Sequence, residues 1–381
     1  MIGLWVGAFV MAYVFGMMDQ RFKDAVENEV SHFQIHHPGF DRDNEPQFIL
    51  SNGPLLLEEI QNDPRTKAAS GRVITFGMAA SANASTGGKF NGIQSDDENN
   101  VTGLQDKLTQ GDYLAADSKN KVLISERLAK KLKVKLRSKI VLTTQDRSGS
   151  IVAGAFRVIG LYETYNTTYD DTNLFVRAED LATLINIPGQ FHEIATLLQQ
   201  PETLDNFTEQ IAANNPQVLV EQWKDLAPEL GLMIDSFDQY MIIFLIIILL
   251  ALSFGIINTM LMAVLERVRE IGMLMAIGMN RIRLFGMIAL ETAMLVLIAS
   301  PFGLLLAYLT ISYLGETGMD LSGMYQEGYA SYGFKSFIYP KLENIYYLRI
   351  LIMVVITALL ASIYPAVTAI RLNPVSAIRK I

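Results

Sequence analysis

A Gly-Gly-Lys triplet at Gly87–Lys89 is the part of this chain that comes nearest to a phosphate-binding motif. In a phosphate-binding loop, backbone N–H groups and a lysine hold the phosphates. The pattern needs a glycine five residues before the second glycine and Ser or Thr after the lysine. Asn83 and Phe90 occupy those two positions. The sequence therefore predicts no ATPase and no nucleotide cofactor in this chain.

The four histidines are candidates for a metal site, because imidazole is a common metal ligand. His32, His36 and His37 are close in sequence, and His192 is distant. A metal site needs convergent ligands with supporting partners. On an alternating strand His32 and His36 share a face while His37 points away. We expect structural or surface roles and no metal. No Ser/His/Asp arrangement or carboxylate pair stands out, so we also expect no catalytic residues.

The segment Glu266–Gly286 has a pattern suited to recognition rather than to catalysis. Apolar residues recur at helical spacing and form one stripe: Ile271, Leu274, Met275, Gly278 and Met279. Gly278 can end this helix in a left-handed conformation, and Asn280 can cap the next one. The pattern predicts a short helix roughly parallel to a membrane, with exposed Met and Ile residues that suit contacts with a moving protein. Anchoring in lipid headgroups remains the alternative.

Long uncharged runs on either side of this segment predict four transmembrane helices. The runs are Met1–Met18, Gln239–Leu265, Leu284–Gly315 (interrupted only by Glu291) and Ile350–Ile370. About 20 apolar residues cross the hydrocarbon layer as a helix. The chain is 50% hydrophobic and only 18% charged, with a mean hydropathy of +0.26. We interpret the first run as an anchor rather than a cleaved signal peptide, because it has no basic flank and no small-residue cleavage site.

Loop charges predict the orientation. The short loop 266–283 and the tail 371–381 together hold seven Lys/Arg and two acids, whereas 31–235 holds 19 basic and 27 acidic residues. Short basic loops stay in the cytoplasm. Both termini are therefore expected inside and the long segment outside. The chain has no cysteine, which favours a bacterial periplasm over a eukaryotic surface.

The long segment reads as an α+β domain, with two lobes expected. Strands are predicted around Ser31–Gly39, Val122–Ser125, Lys139–Thr144, Ser150–Tyr162, Thr172–Val176, His192–Leu198 and Gln217–Val220. Ser125 is a predicted N-cap. Gly77–Asn100, rich in Ser, Ala, Gly and Asn, is interpreted as an irregular excursion. The predicted fold class is thus an α-helical membrane protein with four transmembrane helices plus a large α+β extracytoplasmic domain between helices 1 and 2. The predicted domains are 1–30 (first helix and stalk), 31–235 (outer domain) and 236–381 (permease domain).

Two motifs resemble the permeases of the MacB/FtsX/lipoprotein-releasing class of ABC transporters. The matching residues of the first motif are Glu266, Arg269, Glu270, Ile271, Gly272, Ala276 and Gly278, and those of the closing motif are Pro365, Ala366, Arg371, Pro374, Ala377 and Arg379. Asn373 stands where this class more often has Asp. FQIHHPGF (Phe33–Phe40) and GMDLS (Gly318–Ser322) resemble the lipoprotein-releasing (LolC/LolE-type) branch in particular.

The resemblance implies a permease without its own ATPase, whose helix after the second span is a coupling helix that docks on a separate ATPase subunit holding ATP and Mg²⁺. The implied docking residues in 266–279 are Glu266, Arg267, Arg269, Glu270, Ile271, Gly272, Met275, Ala276, Gly278 and Met279. A cytoplasmic segment before the first span is usual in this branch and is not seen before Met1.

The resemblance also implies lipoprotein release from the bacterial inner membrane. Expected partners are the ATPase, a second copy or a paralogue of the permease, membrane lipid, a lipoprotein substrate and a periplasmic carrier, with no nucleic acid. Export of drugs or peptides from the periplasm, regulation of a cell-wall hydrolase, and a receptor without any ATPase remain the alternatives. Substrate-contacting residues are not identified by the sequence.

Overall fold

The computed structural model describes residues 1–40, 45–115, 119–164, 166–321 and 337–371. Contacts divide the described chain into two compact units. The helical unit contains residues 1–19, 234–321 and 337–371, and the sheet unit contains 20–233. Contact clustering thus cuts the chain close to the predicted boundary at 235, while the domain roles stay predictions.

The helices lie in both units and are numbered in chain order. They are α1 (Ile2–Ala25, extended by a π-helical turn at Val26–Val30), α2 (Gly53–Gln61), α3 (Ser95–Thr102), α4 (Glu126–Leu132), α5 (Thr167–Thr172), α6 (Ala178–Leu184), α7 (Leu204–Asn214), α8 (Trp223–Leu226), α9 (Pro228–Glu266), α10 (Val268–Ala276), α11 (Arg281–Thr317) and α12 (Asn344–Ile370). Short 3-10 turns lie at Leu104–Lys107 and Pro201–Thr203.

The strands are likewise numbered in chain order. They are β1 (Phe33–His36), β2 (Thr66–Ala80), β3 (Ser85–Ile93), β4 (Leu108–Gly111), β5 (Lys121–Ser125), β6 (Lys139–Gln145), β7 (Ile151–Tyr162), β8 (Asn173–Arg177), β9 (Glu193–Leu198), β10 (Leu219–Gln222), β11 (Met319–Asp320) and β12 (Phe337–Ile338). The seven predicted strands are present as β1 and β5–β10, and five further strands among the described residues were not predicted. The last two form a small separate hairpin.

Four helices are long and apolar enough to cross a membrane: Ile2–Val30, Pro228–Glu266, Arg281–Thr317 and Asn344–Ile370. This confirms the predicted number of spans. Both α11 and α12 continue through an internal proline, Pro301 and Pro365 respectively, so neither proline ends its helix. Pro228, by contrast, opens α9, where its missing N–H costs nothing.

The helical unit closes around small residues. A Cβ on Gly16 would overlap the carbonyl oxygen of Tyr339, so glycine there lets the segment before α12 lie against α1. The amide of Lys341 donates to the carbonyl of Ala12 at 3.0 Å. Buried apolar side chains of α1, α9, α11 and α12 form one cluster, which includes Leu4, Ala8, Leu245, Ala307 and Val354.

The sheet unit is built on one mixed ten-stranded sheet. Its order is β10-β1-β9-β2-β3-β8-β5-β7-β4, with β6 paired to both β2 and β7. The helices of this unit pack on the sheet, which confirms the predicted α/β character of the domain. The sheet is continuous, so strand pairing does not itself divide the domain into lobes. The predicted division into two lobes remains a prediction.

The local capping and turn signals of this domain are confirmed. Ser125 accepts the amide of Leu128 at 2.9 Å and begins α4. The predicted strands β6 and β7 pair antiparallel, and the turn at 146–149 joins them. These signals succeed because each depends on side-chain chemistry within a few residues.

The interpretation of Gly77–Asn100 as an irregular excursion is wrong. These residues form the end of β2, strand β3 and helix α3. Their small side chains are needed for strand packing: a Cβ on Gly77 would overlap the carbonyl oxygen of Thr143 on β6. Composition alone suggests a loop here. Glycine within a strand can instead mark the close approach of another backbone, and composition does not distinguish these two cases.

Candidate functional site

The predicted coupling helix begins at a break in the backbone after α9. Arg267 has φ −101° and ψ 17° and stands between α9 and α10. Glu266 is the last residue of α9, and α10 runs from Val268 to Ala276. The helix predicted over 266–279 is therefore shorter at both ends.

The end of α10 has the hydrogen bonds of a Schellman motif. The amide of Met279 donates to the carbonyl of Leu274 at 3.0 Å, and the amide of Gly278 donates to that of Met275 at 3.1 Å. Gly278 has φ +104°, in the region that favours glycine. The side chain of Asn280 then accepts the amide of Ile282 at 3.1 Å and caps α11. Both predicted caps are confirmed.

Except for Gly278, which is exposed, the residues of the apolar stripe are buried or half-buried in the helical unit. Ile271 is 5% exposed, Gly272 is buried, and Met275 and Met279 are half-buried. They pack in a cluster of α9, α11 and α12 residues: Met260, Val264, Leu284, Ile288, Ala366 and Ala369. The segment exposes Ile and Met side chains as expected, but they are Ile277 and Met273 and not residues of the stripe. The most continuous apolar stripe of a helix is the one that packs in a core.

The exposed face of α10 consists of other residues. Glu266, Arg267, Arg269, Glu270, Ala276 and Gly278 of the predicted docking set are exposed. Two apolar side chains outside that set stand beside them: Met273, 46% exposed, and Ile277, 86% exposed. The sequence carries the signal for both, since Arg269, Met273 and Ile277 recur at i, i+4 and i+8.

The cluster beneath α10 also explains why the two sequence motifs occur together. Ile271 of the first motif shares this cluster with Ala366 of the closing motif. Pro365 is buried beside it, and Arg371 follows α12. Pro374, Ala377 and Arg379 of the closing motif lie outside the described residues.

A charged pair joins the start of α10 to α11. Arg267 Nη1 donates to Glu291 Oε1 at 2.8 Å. The partner of Glu291 is therefore Arg267 and not Arg281 or Arg283, which are nearer to it along the same helix. The pair borders a cavity of about 440 Å³ that Glu270 and Leu274 also line. The end of α9 and the first turns of α11 pack in one cluster with α10, and residue spacing within one helix does not reveal this contact.

A second candidate site is an apolar groove within the helical unit. It has a volume of about 830 Å³ and is lined by α1, α9 and α11 residues that include Gly3, Gly7, Ala251, Gly255, Thr259, Thr292 and Ala299. A Cβ on Gly255 would meet nothing within 4 Å, whereas one on Gly7 would lie 2.7 Å from Cγ2 of Ile248. Gly255 therefore faces open space in this groove.

A row of buried charged residues crosses the sheet unit. Arg72 donates to Glu98 through two contacts of 2.8 Å and to Glu193 at 2.7 Å. Glu193 lies 3.4 Å from Nε2 of His36, whose Nδ1 lies 3.1 Å from Glu221. Each of the first four side chains is at most 8% exposed.

The charges in this row stabilise one another. Burial would lower the pKa of His36, but its hydrogen bonds to Glu193 and Glu221 outweigh burial and raise that pKa to about 9. Burial would raise the pKa of Glu193, yet Arg72 and His36 hold it well below its ordinary value. Burial also lowers the pKa of His192 to about 4. His192 accepts the Ile74 amide at 2.9 Å, so the predicted structural roles fit His36 and His192.

Comparison with known proteins supports the assignment of the helical unit. Residues 242–374 match the family model of the FtsX-like permease C-terminal domain. An uncharacterized ABC transporter permease of Methanocaldococcus jannaschii is 23% identical over 234 residues, which cover 59% of this chain and 55% of that protein. The chain thus spans about half the length of this curated relative.

Two solved structures are similar to part of the chain. The periplasmic region of MacB from Actinobacillus actinomycetemcomitans is 16% identical, with a TM-score of 0.37 over 50% of this chain and 87% of that one. The extracellular domain of YknZ from Gram-positive bacteria is 15% identical, with a TM-score of 0.36 over 50% of this chain and 98% of that one. Likeness at this level says nothing of activity. Segment 242–374 thus matches the FtsX-like permease C-terminal family model, and the chain is similar to an ABC transporter permease.

Proposed function

We propose that this chain is the non-catalytic permease subunit of an ABC transporter in a bacterial inner membrane. Both termini would lie in the cytoplasm and the sheet unit outside. A separate ATPase would bind α10, and a second permease copy or a paralogue would complete the transporter. ATP-driven movement of α10 would pass along α9 toward the sheet unit.

The exposed face of α10 is the observation that carries this proposal. Its underside is fixed to the helical unit by Ile271 and its C-terminal end by the hydrogen bonds of the Schellman motif, so a force on α10 moves the helices to which it is packed. Its outer face presents Met273 and Ile277 between charges of both signs. Exposed apolar side chains surrounded by polar ones are typical of a protein interface.

Replacement of the two exposed apolar residues tests the docking proposal. Met273→Asp with Ile277→Asp places carboxylates in the apolar centre of the interface, so we expect loss of the ATPase subunit on co-purification. Membrane insertion and yield should not change, because neither side chain packs in the helical unit. Leu55→Asp is the matched control, since Leu55 is 68% exposed in the sheet unit. Retention of the ATPase by the double variant would disprove docking at this face.

We propose lipoprotein release as the transport reaction. The resemblance of FQIHHPGF and GMDLS to the lipoprotein-releasing branch supports it, and so does the apolar groove, whose lining suits acyl chains. Phe33, Ile35 and His36 are buried in β1. This motif therefore builds the interior of the sheet unit, and substrate contact is assigned to the groove.

The open space beside Gly255 permits a direct test of the groove. Gly255→Leu would place an apolar side chain in this space, since its Cβ meets nothing within 4 Å, and we expect fewer acylated molecules to co-purify and slower lipoprotein release from proteoliposomes. Gly286→Leu is the control, because a Cβ on Gly286 also meets nothing within 4 Å and lies outside the groove lining. Mass spectrometry of the bound material identifies the substrate. A peptide or drug in place of a lipoprotein would favour MacB-like export, and a bound cell-wall hydrolase would favour regulation of that enzyme.

A further inference from the structure

The sheet unit exposes a group of large apolar side chains on one face of its sheet. Phe76 is 50% exposed, Met78 47%, Val141 40% and Ile151 77%. Scattered exposed apolar residues are ordinary on a protein surface, whereas a contiguous group marks an interaction surface.

The strand register shows that these side chains are contiguous. Met78 pairs with Gly87 of β3 and with Thr143 of β6, and Thr143 pairs with Ala153 of β7. The neighbouring row joins Ala80, Val141 and Ala155. Side chains two residues apart on a strand share a face. We call this set the open face: Phe76, Met78, Ala80, Val141, Thr143, Ile151, Ala153 and Ala155.

Before Phe76, toward the start of β2, the same face of the sheet is covered. Arg72 and Ile74 alternate in register with Phe76, yet they are only 6% and 1% exposed. Helix α3 covers this part, and its Glu98 binds Arg72 through two contacts of 2.8 Å. Val101 of the same helix is 4% exposed. An acidic helix with an apolar side is therefore what the protein itself uses to cover this surface.

Basic residues border the open face. Lys139 of β6 pairs directly with Arg157 of β7, and Lys89 of β3 pairs with Phe76. Like charges in directly opposed positions destabilise a sheet, and a carboxylate placed between Lys139 and Arg157 would remove that cost. The acid Asp146 lies in the turn at the opposite end of the β6–β7 hairpin, where it accepts three hydrogen bonds from Ser148 and Ser150.

We propose that the open face binds an acidic amphipathic helix of another protein. The apolar side of that helix would lie on Phe76, Met78, Val141 and Ile151, and its carboxylates would pair with Lys139 and Arg157, as Glu98 pairs with Arg72. Two copies of this chain would each bring the basic residues Lys139 and Arg157 to the interface, where they would repel one another. An acidic helix of another protein is therefore favoured over a second copy. This inference does not depend on the docking of an ATPase to α10.

The absence of cysteine from the chain allows a single reporter on the open face. Thr143→Cys in the full chain in zwitterionic nanodiscs, labelled with an environment-sensitive fluorophore, is titrated with a synthetic amphipathic peptide of leucine and glutamate, roughly 18 residues long or five helical turns. We expect saturable binding. Ile151→Ser should weaken it on the order of tenfold, as the loss of an interface anchor does, and the exposed control Leu55→Ser should leave it unchanged.

Charge reversal supplies the second part of the test. Lys139→Glu with Arg157→Glu should abolish preference for the glutamate peptide and create preference for a leucine–lysine peptide, with unchanged circular dichroism. The inference is overturned if the reporter shows no saturable signal or if affinity is indifferent to these variants. It is also overturned in favour of self-association if the Thr143→Cys chain forms disulfide-linked dimers without peptide.

Discussion

In the sheet unit, Glu193 contacts both Arg72 and His36, and all three side chains are buried. Around α10 of the helical unit the charged residues are exposed. Buried ions remain stable only when every partner is present. Exposed ions such as Arg269 and Glu270 keep their hydration and are available to another protein. The two regions use the same residue types for opposite purposes, and burial decides which.

The same contrast exists across a single helix. Ile271 on one side of α10 is 5% exposed and Ile277 near its end is 86% exposed. The first holds α10 to the helical unit, and the second can contribute only to an interface with another molecule. A residue type does not define a docking site until its burial is known.

Removal of Arg72 should have the largest effect on stability. Arg72→Ala leaves the carboxylates of Glu98 and Glu193 buried without their cation, which costs about 3–5 kcal/mol. Denaturant unfolding of the full chain, followed by sheet-unit signals, measures the loss. Arg127→Ala is the control: Arg127 pairs with Asp171 at 3.0 Å but is 45% exposed, so its loss should cost at most about 1 kcal/mol. Equal losses of stability in the two variants would contradict the contrast between the buried Arg72 and the exposed Arg127.

The two isoleucines of α10 give the next largest contrast. Ile271→Ala should destabilise the helical unit by about 2–5 kcal/mol, because it leaves a cavity among Met260, Leu284 and Ala366. Ile277→Ala should change stability by no more than about 0.5 kcal/mol while it weakens ATPase binding. Thermal unfolding in detergent and quantitative pull-down separate the two effects. Normal ATPase binding by Ile277→Ala would contradict the proposed contact of the ATPase with the exposed face of α10.

The sequence predicts the elements of both regions better than their contacts. The caps at Ser125, Gly278 and Asn280 depend on neighbours within a few residues, and all three are confirmed. The direction of the α10 stripe and the partner of Glu291 depend on helices far away in sequence. No spacing rule within 266–283 contains that information, so the sequence reveals neither of them.

The row of buried charges was missed for the same reason. Arg72, Glu98, Glu193 and Glu221 come from four separate segments, and only strand order brings them to His36. A buried arginine on a strand predicts a partner, but the sequence does not show that the strand is buried.

The pH dependence of the sheet unit should come third in magnitude. The pKa of His36 is raised above its unfolded value of 6.5 to about 9. Its contribution is therefore fully present below pH 6.5 and is lost as pH rises through 9, on the order of 3 kcal/mol. Glu193, whose pKa is lowered, contributes above pH 4.5 and loses its contribution as pH falls. Unfolding followed from pH 6 to 10 should show this loss, and His36→Gln should flatten the curve.

The smallest effect on stability is expected at the exposed pair Arg267–Glu291. The two side chains are 57% and 38% exposed, and exposed pairs contribute at most about 1 kcal/mol. Glu291→Gln should therefore leave unfolding nearly unchanged. The pair joins the first residue after α9 to α11 across the base of α10, so its loss should loosen the link between α10 and the helices. We expect ATPase binding to persist while transport per ATP hydrolysed falls, measured in proteoliposomes. A large loss of stability would show that this pair behaves like the buried charges of the sheet unit. Unchanged transport would show that the pair has no part in coupling.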